Sequence, residues 1–88
     1  MHEASIMNNL MAKILDIAKQ NDATKVIEVE VWLGALSHMS PHHFGEHYED
    51  SSRGTIAAGA TLKCETSDDI NHPNAQDILL KNIEVESE

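Results

Sequence analysis

Residues 25–33 read KVIEVEVWL, and their polarity alternates with a period of two. Ile27, Val29, Val31 and Leu33 then share one face, while Lys25, Val26, Glu28, Glu30 and Trp32 do not join it, the pattern of a half-buried β-strand. Burying that four-member face contributes about 1.5–3 kcal/mol per side chain. Gly34 ends the strand. In the connection that follows, Ser40 is placed to cap a second helix and Pro41 to occupy its first position. Ahead of the strand, residues 5–21 (SIMNNLMAKILDIAKQN) put Ile6, Met7, Leu10, Met11, Ile14, Ile17 and Ala18 on one broad helical stripe, with Ser5 as the expected cap and Asn21-Asp22 as the exit. The helix expected over 41–52 is weaker. Only Phe44 and Tyr48 form its apolar face, and Gly45 lowers its stability by about 1 kcal/mol relative to Ala. Residues 60–66 alternate again, with Ala60, Leu62 and Cys64 inward. Residues 67–77 carry turn chemistry, and 78–86 form a third strand with Ile83 and Val85 inward. The order helix, strand, helix, strand, strand predicts an α+β fold with two helices packed on one face of a three-stranded sheet.

A chain of 88 residues has room for a single domain and one core. Six Lys+Arg against fifteen Asp+Glu give a net charge of −9, which repels phosphate backbones, so no nucleic-acid partner is expected. The apolar runs are too short for a membrane span, and the polar start lacks the pattern of a signal peptide, so the chain reads as cytoplasmic. One cysteine, Cys64, excludes an intrachain disulfide and any multi-cysteine zinc site. No nucleophile–base arrangement and no phosphate-binding loop is legible, so no catalysis is expected.

The informative feature is the start, Met1-His2-Glu3. The α-amine of Met1, the amide nitrogen of His2 and the near ring nitrogen of His2 can close two small chelate rings around one ion. Displacing an amide proton calls for a metal that favours planar nitrogen fields, Ni(II) or Cu(II) rather than Zn(II) or Mg(II). Amides in a first helical turn have no intrahelical acceptor and can be given up to a metal. Glu3 adds a carboxylate or its own amide. Protons compete for the amine and the imidazole, whose reference pKa values are about 8 and about 6.5, so acidification releases the ion. Position alone leaves the bland alternative open, because a histidine at residue 2 is more often part of a frayed terminus.

Met1-His2-Glu3-Ala4-Ser5 before an apolar helix resembles the start of the hydrogenase nickel-incorporation accessory proteins, the HypA/HybF family. The resemblance continues through Val31-Trp32-Leu33-Gly34-Ala35-Leu36-Ser37, then Pro41, Arg53-Gly54-Thr55 and Ala58-Gly59-Ala60, to the closing Lys81-Asn82-Ile83-Glu84-Val85-Glu86. It implies a nickel-binding metallochaperone for a nickel enzyme such as nickel-iron hydrogenase. The metal would be held by Met1, His2 and Glu3, and the partners would be a nickel-handling GTPase and the large subunit of the nickel enzyme. The alternative is a metal-free interaction adaptor that keeps the fold.

Two departures from that family stand out. Its zinc module, two Cys-x-x-Cys pairs before the last strand, is replaced by the cysteine-free loop 67–77, so a single domain over 1–88 without structural zinc is expected. The second helix carries His42, His43, Glu46, His47 and Asp50 where the family has large apolar residues. His43 and His47, one turn apart, can share a metal, but a solvated charged face explains them as simply. The other chemistry-bearing residues have plain readings. Cys64 is expected to be a buried structural thiol, His72 to be exposed in its loop, and Glu28, Glu30, Glu84, Glu86 and Glu88 to lie on the outward face of the sheet.

Overall fold

The helical stripe of the first twenty residues buries Met7, Leu10, Met11, Ile14 and Ala18, with Ile6 and Ile17 half-buried along its flank. The computed structural model describes the backbone of residues 2–87 and the side chains of residues 5–87. Its elements run α1 (His2–Gln20), β1 (Ala23–Leu33), α2 (Pro41–Ser52), β2 (Thr61–Thr66) and β3 (Ile78–Ser87). The strands form one mixed sheet in the order β2-β1-β3, with β1 parallel to β2 and antiparallel to β3. The helix α2 makes the crossover that a parallel pair requires. Both helices pack on the same face, around a core that joins Ile14 and Leu10 of α1 to Val26, Val29, Val31 and Leu33 of β1 and to Phe44 and Tyr48 of α2. The α+β architecture matches the sequence expectation.

Three details differ from the sequence reading. First, α1 begins at His2, so Ser5 lies exposed inside the helix and does not cap it. Nothing in His2-Glu3-Ala4 opposes helix formation: Ala is the strongest helix former, and a carboxylate suits the first turn. Second, the inward face of β1 changes parity. Val26 is fully buried and Ile27 is 40% exposed, the reverse of strict alternation. The register explains this: Val26 pairs with Val85 and Glu28 with Glu84, so Ile27 is an extra, bulged residue. A bulge in β3 around Lys81, between the pairs Glu30–Asn82 and Val31–Leu80, does the same there. Ile78 and Leu80 therefore pack on the core on one side of it, and Ile83 and Val85 on the other. Third, His72 is half-buried rather than exposed, its ring 4.8 Å from that of Trp32 and its Nδ1 accepting from the Asn74 N–H at 2.9 Å.

The second helix survives its poor intrinsic propensity by docking. Ser40 caps it by accepting from the His43 N–H at 3.1 Å, and Pro41 opens it. Phe44 is fully buried, and the Tyr48 hydroxyl donates to the Ala57 carbonyl at 2.8 Å. The loop 67–77 is also docked. The Gly34 N–H donates to Asp77 O at 3.0 Å and the Leu36 N–H to Ala75 O at 2.7 Å, while Ala75 is buried. The approach is so close that a Cβ on Gly34 would stand 2.2 Å from Ala75 O. Gly34 is the one residue that lets this loop close over the end of β1.

Candidate metal centre

Topology gathers the chemistry-bearing residues at one end of the sheet. The two-residue turn Asn21-Asp22, with Asp22 at φ 53°, reverses the chain between α1 and β1. The start of α1 therefore lies at the end where β1 finishes. Leu33 pairs there with Thr66 and with Ile78, so β2 also ends and β3 begins at that level. Ile6, Leu10 and Lys13 of α1 line a groove with Asp77, Ile78 and Leu80, which ties the helix start to this end. The connection 34–40 and the first turn of α2 complete it.

Of the predicted ligands, Met1 lies outside the described residues. The backbones of His2 and Glu3 form the opening of α1, and their side chains lie outside the described set. As the first residues of a helix, they carry N–H groups with no acceptor four residues back. Ser5 is exposed, and the first buried side chain after it is Met7. The opening turn thus precedes the apolar anchor of the helix.

Five of the six histidines can be placed by their side chains. His38 is exposed at φ 59° in the connection before α2. His42 faces solvent opposite Glu46 at 3.5 Å, a pair worth little at such exposure. His43 and His47 are half-buried, with their Nε2 atoms 2.9 Å apart and their ring centroids 4.6 Å apart. His72 packs on Trp32 in the docked loop. The i, i+4 spacing signals the proximity of His43 and His47; the convergence of their rings is visible only in three dimensions. The Ser37 hydroxyl is buried at this end of the sheet without a hydrogen-bond partner among the described residues.

Several other titratable groups serve the sheet. Cys64 is half-buried in β2 against the core, and burial pushes its thiol pKa up, so a thiolate ligand is disfavoured there at neutral pH. On the outward face of the sheet Lys63 pairs with Glu28 at 3.4 Å, and Lys81 with Glu65 at 2.9 Å and Glu30 at 3.6 Å. The Glu65 carboxylate, seconded by Glu30, holds the Lys81 ammonium above its ordinary pKa. Among the described residues no three His, Cys, Asp or Glu side chains are grouped to hold a metal, and no helix is long and apolar enough to cross a membrane.

A small α+β layer with an N-terminal helix opening beside the end of a mixed sheet defines the class, and comparison with known proteins gives the family. The family described as "Hydrogenase/urease nickel incorporation, metallochaperone, hypA" matches residues 1–72, and the chain belongs to it. The hydrogenase maturation factor HypA of Rhizobium leguminosarum bv. viciae is 40% identical over 63 residues, covering 72% of this chain and 56% of that relative. HypA of Aquifex aeolicus is 38% identical over 65 residues, covering 74% of this chain and 56% of its own length. The chain spans about half the length of the curated relatives it matches. The solution structure of the Ni metallochaperone HypA from Helicobacter pylori superposes with a TM-score of 0.76 over 98% of each chain at 22% identity, a likeness of fold.

Proposed function

We propose that this chain is a nickel-binding accessory protein, not an enzyme, which carries the ion at Met1, His2 and Glu3 for the maturation of a nickel enzyme such as a nickel-iron hydrogenase. The observation that carries the reading is membership of a nickel-incorporation family through a match that includes residues 1–5, together with a helix whose first-turn amides are those of His2 and Glu3. The donors would be the amine of Met1, the amide and imidazole of His2, and the amide or carboxylate of Glu3, a set suited to planar Ni(II). A site at the tip of a helix is open to attack by incoming ligands one at a time, and that is what delivery by ligand exchange requires. Protons compete for the same nitrogens, so acidification favours release. The surrounding net charge of −9 raises the local concentration of divalent cations.

The proposed partners are a nickel-handling GTPase and the large subunit of the recipient enzyme, and the proposed compartment is the cytoplasm. Structural zinc is not part of the proposal, since Cys64 is the one cysteine and is held as a thiol. The absence of cysteine from the loop 67–77 favours a second reading, a metal-free adaptor that occupies a partner's surface. Titration with Ni(II) separates the two. The carrier develops the absorbance band of planar diamagnetic nickel at one equivalent, and His2→Gln abolishes it. A wild-type protein that shows no such band, or one that His2→Gln leaves unchanged, overturns the carrier reading and leaves the adaptor. Stoichiometric zinc in the purified protein would contradict the zinc-free assignment.

A further inference from the structure

The strand β2 stands at the edge of the sheet, with β1 on one side and no strand on the other among the described residues. Along such a strand, alternate residues turn their N–H and C=O groups towards the neighbour and the rest turn them outwards. The Ser67 N–H donates to the Leu33 carbonyl at 3.0 Å, so Lys63 and Glu65, an even number of residues before it, also point their backbone groups at β1. Those of Leu62, Cys64 and Thr66 point away from the sheet. The loop 67–77 leads off in the other direction, where Ala75 and Asp77 accept from Leu36 and Gly34. The opposite edge strand, β3, is interrupted by the bulge at Lys81, a feature that discourages edge pairing. By contrast, β2 keeps an unbroken register with β1 from Thr61 to Thr66.

The side chains along this edge are self-complementary. Residues 61–66 read TLKCET, with Cys64 midway between Lys63 and Glu65. A second β2 laid antiparallel, with Cys64 opposite the partner's Cys64, sets Leu62 against the partner's Thr66 and Lys63 against the partner's Glu65. The outward backbone groups of Leu62, Cys64 and Thr66 then meet in the hydrogen-bonded pairs of an antiparallel ladder. Lys63 and Glu65 fall in the pairs between them, where Cα atoms are about 4.5 Å apart and side chains stand closest. Opposite charges there are favourable and like charges are not, and the two-fold axis supplies the favourable pair twice. Sliding the ladder to the next bonded register in either direction sets Lys63 against the partner's Lys63, or Glu65 against the partner's Glu65. Charge therefore selects one register. The present partners, Glu28 at 3.4 Å from Lys63 and Lys81 at 2.9 Å from Glu65, lie on the same outward face, so the row of alternating charge extends across the axis. On the inward face Leu62 and Cys64 are half-buried, beside a groove lined by Gly45, Tyr48, Ser52 and Ala60 that leaves room for the partner's Thr66.

We propose that β2 is a self-association edge, through which two copies of this chain join antiparallel into one continuous sheet with the helices of both on one face. The net charge of −9 on each copy opposes association, so the dimer exchanges with monomer and grows with concentration. The opening of α1 lies at the end where β2 finishes. Antiparallel pairing therefore sends the two chain starts to opposite ends of the joined sheet. The edge does not depend on whether those starts bind metal.

Sedimentation of the whole chain at physiological salt, up to millimolar concentration, should show a monomer–dimer equilibrium. Amide exchange followed by ¹H–¹⁵N NMR at both ends of that range should show Leu62, Cys64 and Thr66 gaining protection in the dimer. Lys63 and Glu65, already turned to β1, should change little. Lys63→Glu sets like charges opposite one another twice, and so does Glu65→Lys. Each should weaken the dimer about tenfold. An equimolar mixture of the two variants should restore it, because every cross-strand pair in the mixed dimer is again of opposite sign. A monomer at every concentration, protection gained along β3 or a helix instead of β2, or single variants that dimerise like the wild type would overturn the proposal. So would a mixture that stays monomeric while both variants melt like the wild type. Because the wild-type exchange map reads the edge directly, poor folding of a variant does not decide the outcome.

Discussion

Placing a methyl group on Gly34 is the sharpest test of how the loop 67–77 is held. A Cβ there would lie 2.2 Å from Ala75 O, 2.6 Å from its carbonyl carbon and 2.8 Å from Asn74 O. All three are backbone atoms, so no rotamer change relieves the clash. Ordinary contact begins at about 3.5 Å, and the segment must retreat by about 1 Å. That movement breaks the bonds from Leu36 N to Ala75 O (2.7 Å) and from Gly34 N to Asp77 O (3.0 Å), at about 1 kcal/mol each. It also loosens buried Ala75 and Ile78, for a further about 1 kcal/mol. Stiffening of the unfolded chain returns about 0.4–1 kcal/mol. The net loss for Gly34→Ala is about 2–3 kcal/mol, or about 10–20 °C in melting temperature for a domain of this size. Circular dichroism melting measures it, with Gly45→Ala as control. A methyl group on that helical glycine would meet nothing within 4 Å, so its replacement should stabilise by up to about 1 kcal/mol. If Gly34→Ala melts with the wild type, the loop is not seated on the strand end and the reasoning fails.

The packing and the proposed site set four further expectations. Tyr48→Phe should cost about 1–2 kcal/mol by leaving the Ala57 carbonyl without its donor. Burial also raises the Tyr48 pKa to about 12; the folded state therefore holds the proton more tightly than the unfolded chain, whose value is about 10. The resulting stability is complete below about pH 10 and is lost as pH rises towards 12, which ultraviolet titration of the phenol and melting at high pH can follow together. The bulge in β1 predicts that Val26→Thr destabilises by about 1–3 kcal/mol, while Ile27→Thr stays within about 0.5 kcal/mol of wild type; equal losses in chemical denaturation would restore strict alternation. Nickel bound at the start of α1 should leave amide-exchange protection from Leu10 to Ala18 unchanged, and loss of protection along the whole helix would rule out a site confined to its opening turn.

The elements were legible where local chemistry determines them. Ser40 and Pro41 fix the start of α2 and the pair Phe44–Tyr48 its buried face, and the stripe from Ile6 to Ala18 defines the buried face of α1. What a period-two reading could not supply is the register with a neighbouring strand. The exchange of Val26 for Ile27 arises from pairing with Val85 and Glu84, some sixty residues away in the chain. The seat of His72 on Trp32 is hidden for the same reason: it depends on the fold of a loop whose composition signals only turns. At the candidate site, the reading of Met1-His2-Glu3 as donors rests on residue types together with the family resemblance, and Met1 and the side chains of His2 and Glu3 lie outside the described residues. The 2.9 Å approach of the His43 and His47 rings is set by side-chain torsions that spacing does not encode.

The proposed terminal site and the helix that carries it place separate demands on the chain. At the opening of α1 the proposed donors include amides that a helix leaves unsatisfied, and the first buried side chain described after them is Met7. An ion could take those amides and return them without disturbing the apolar face from Met7 to Ala18, so loading and release need not be coupled to the stability of the domain.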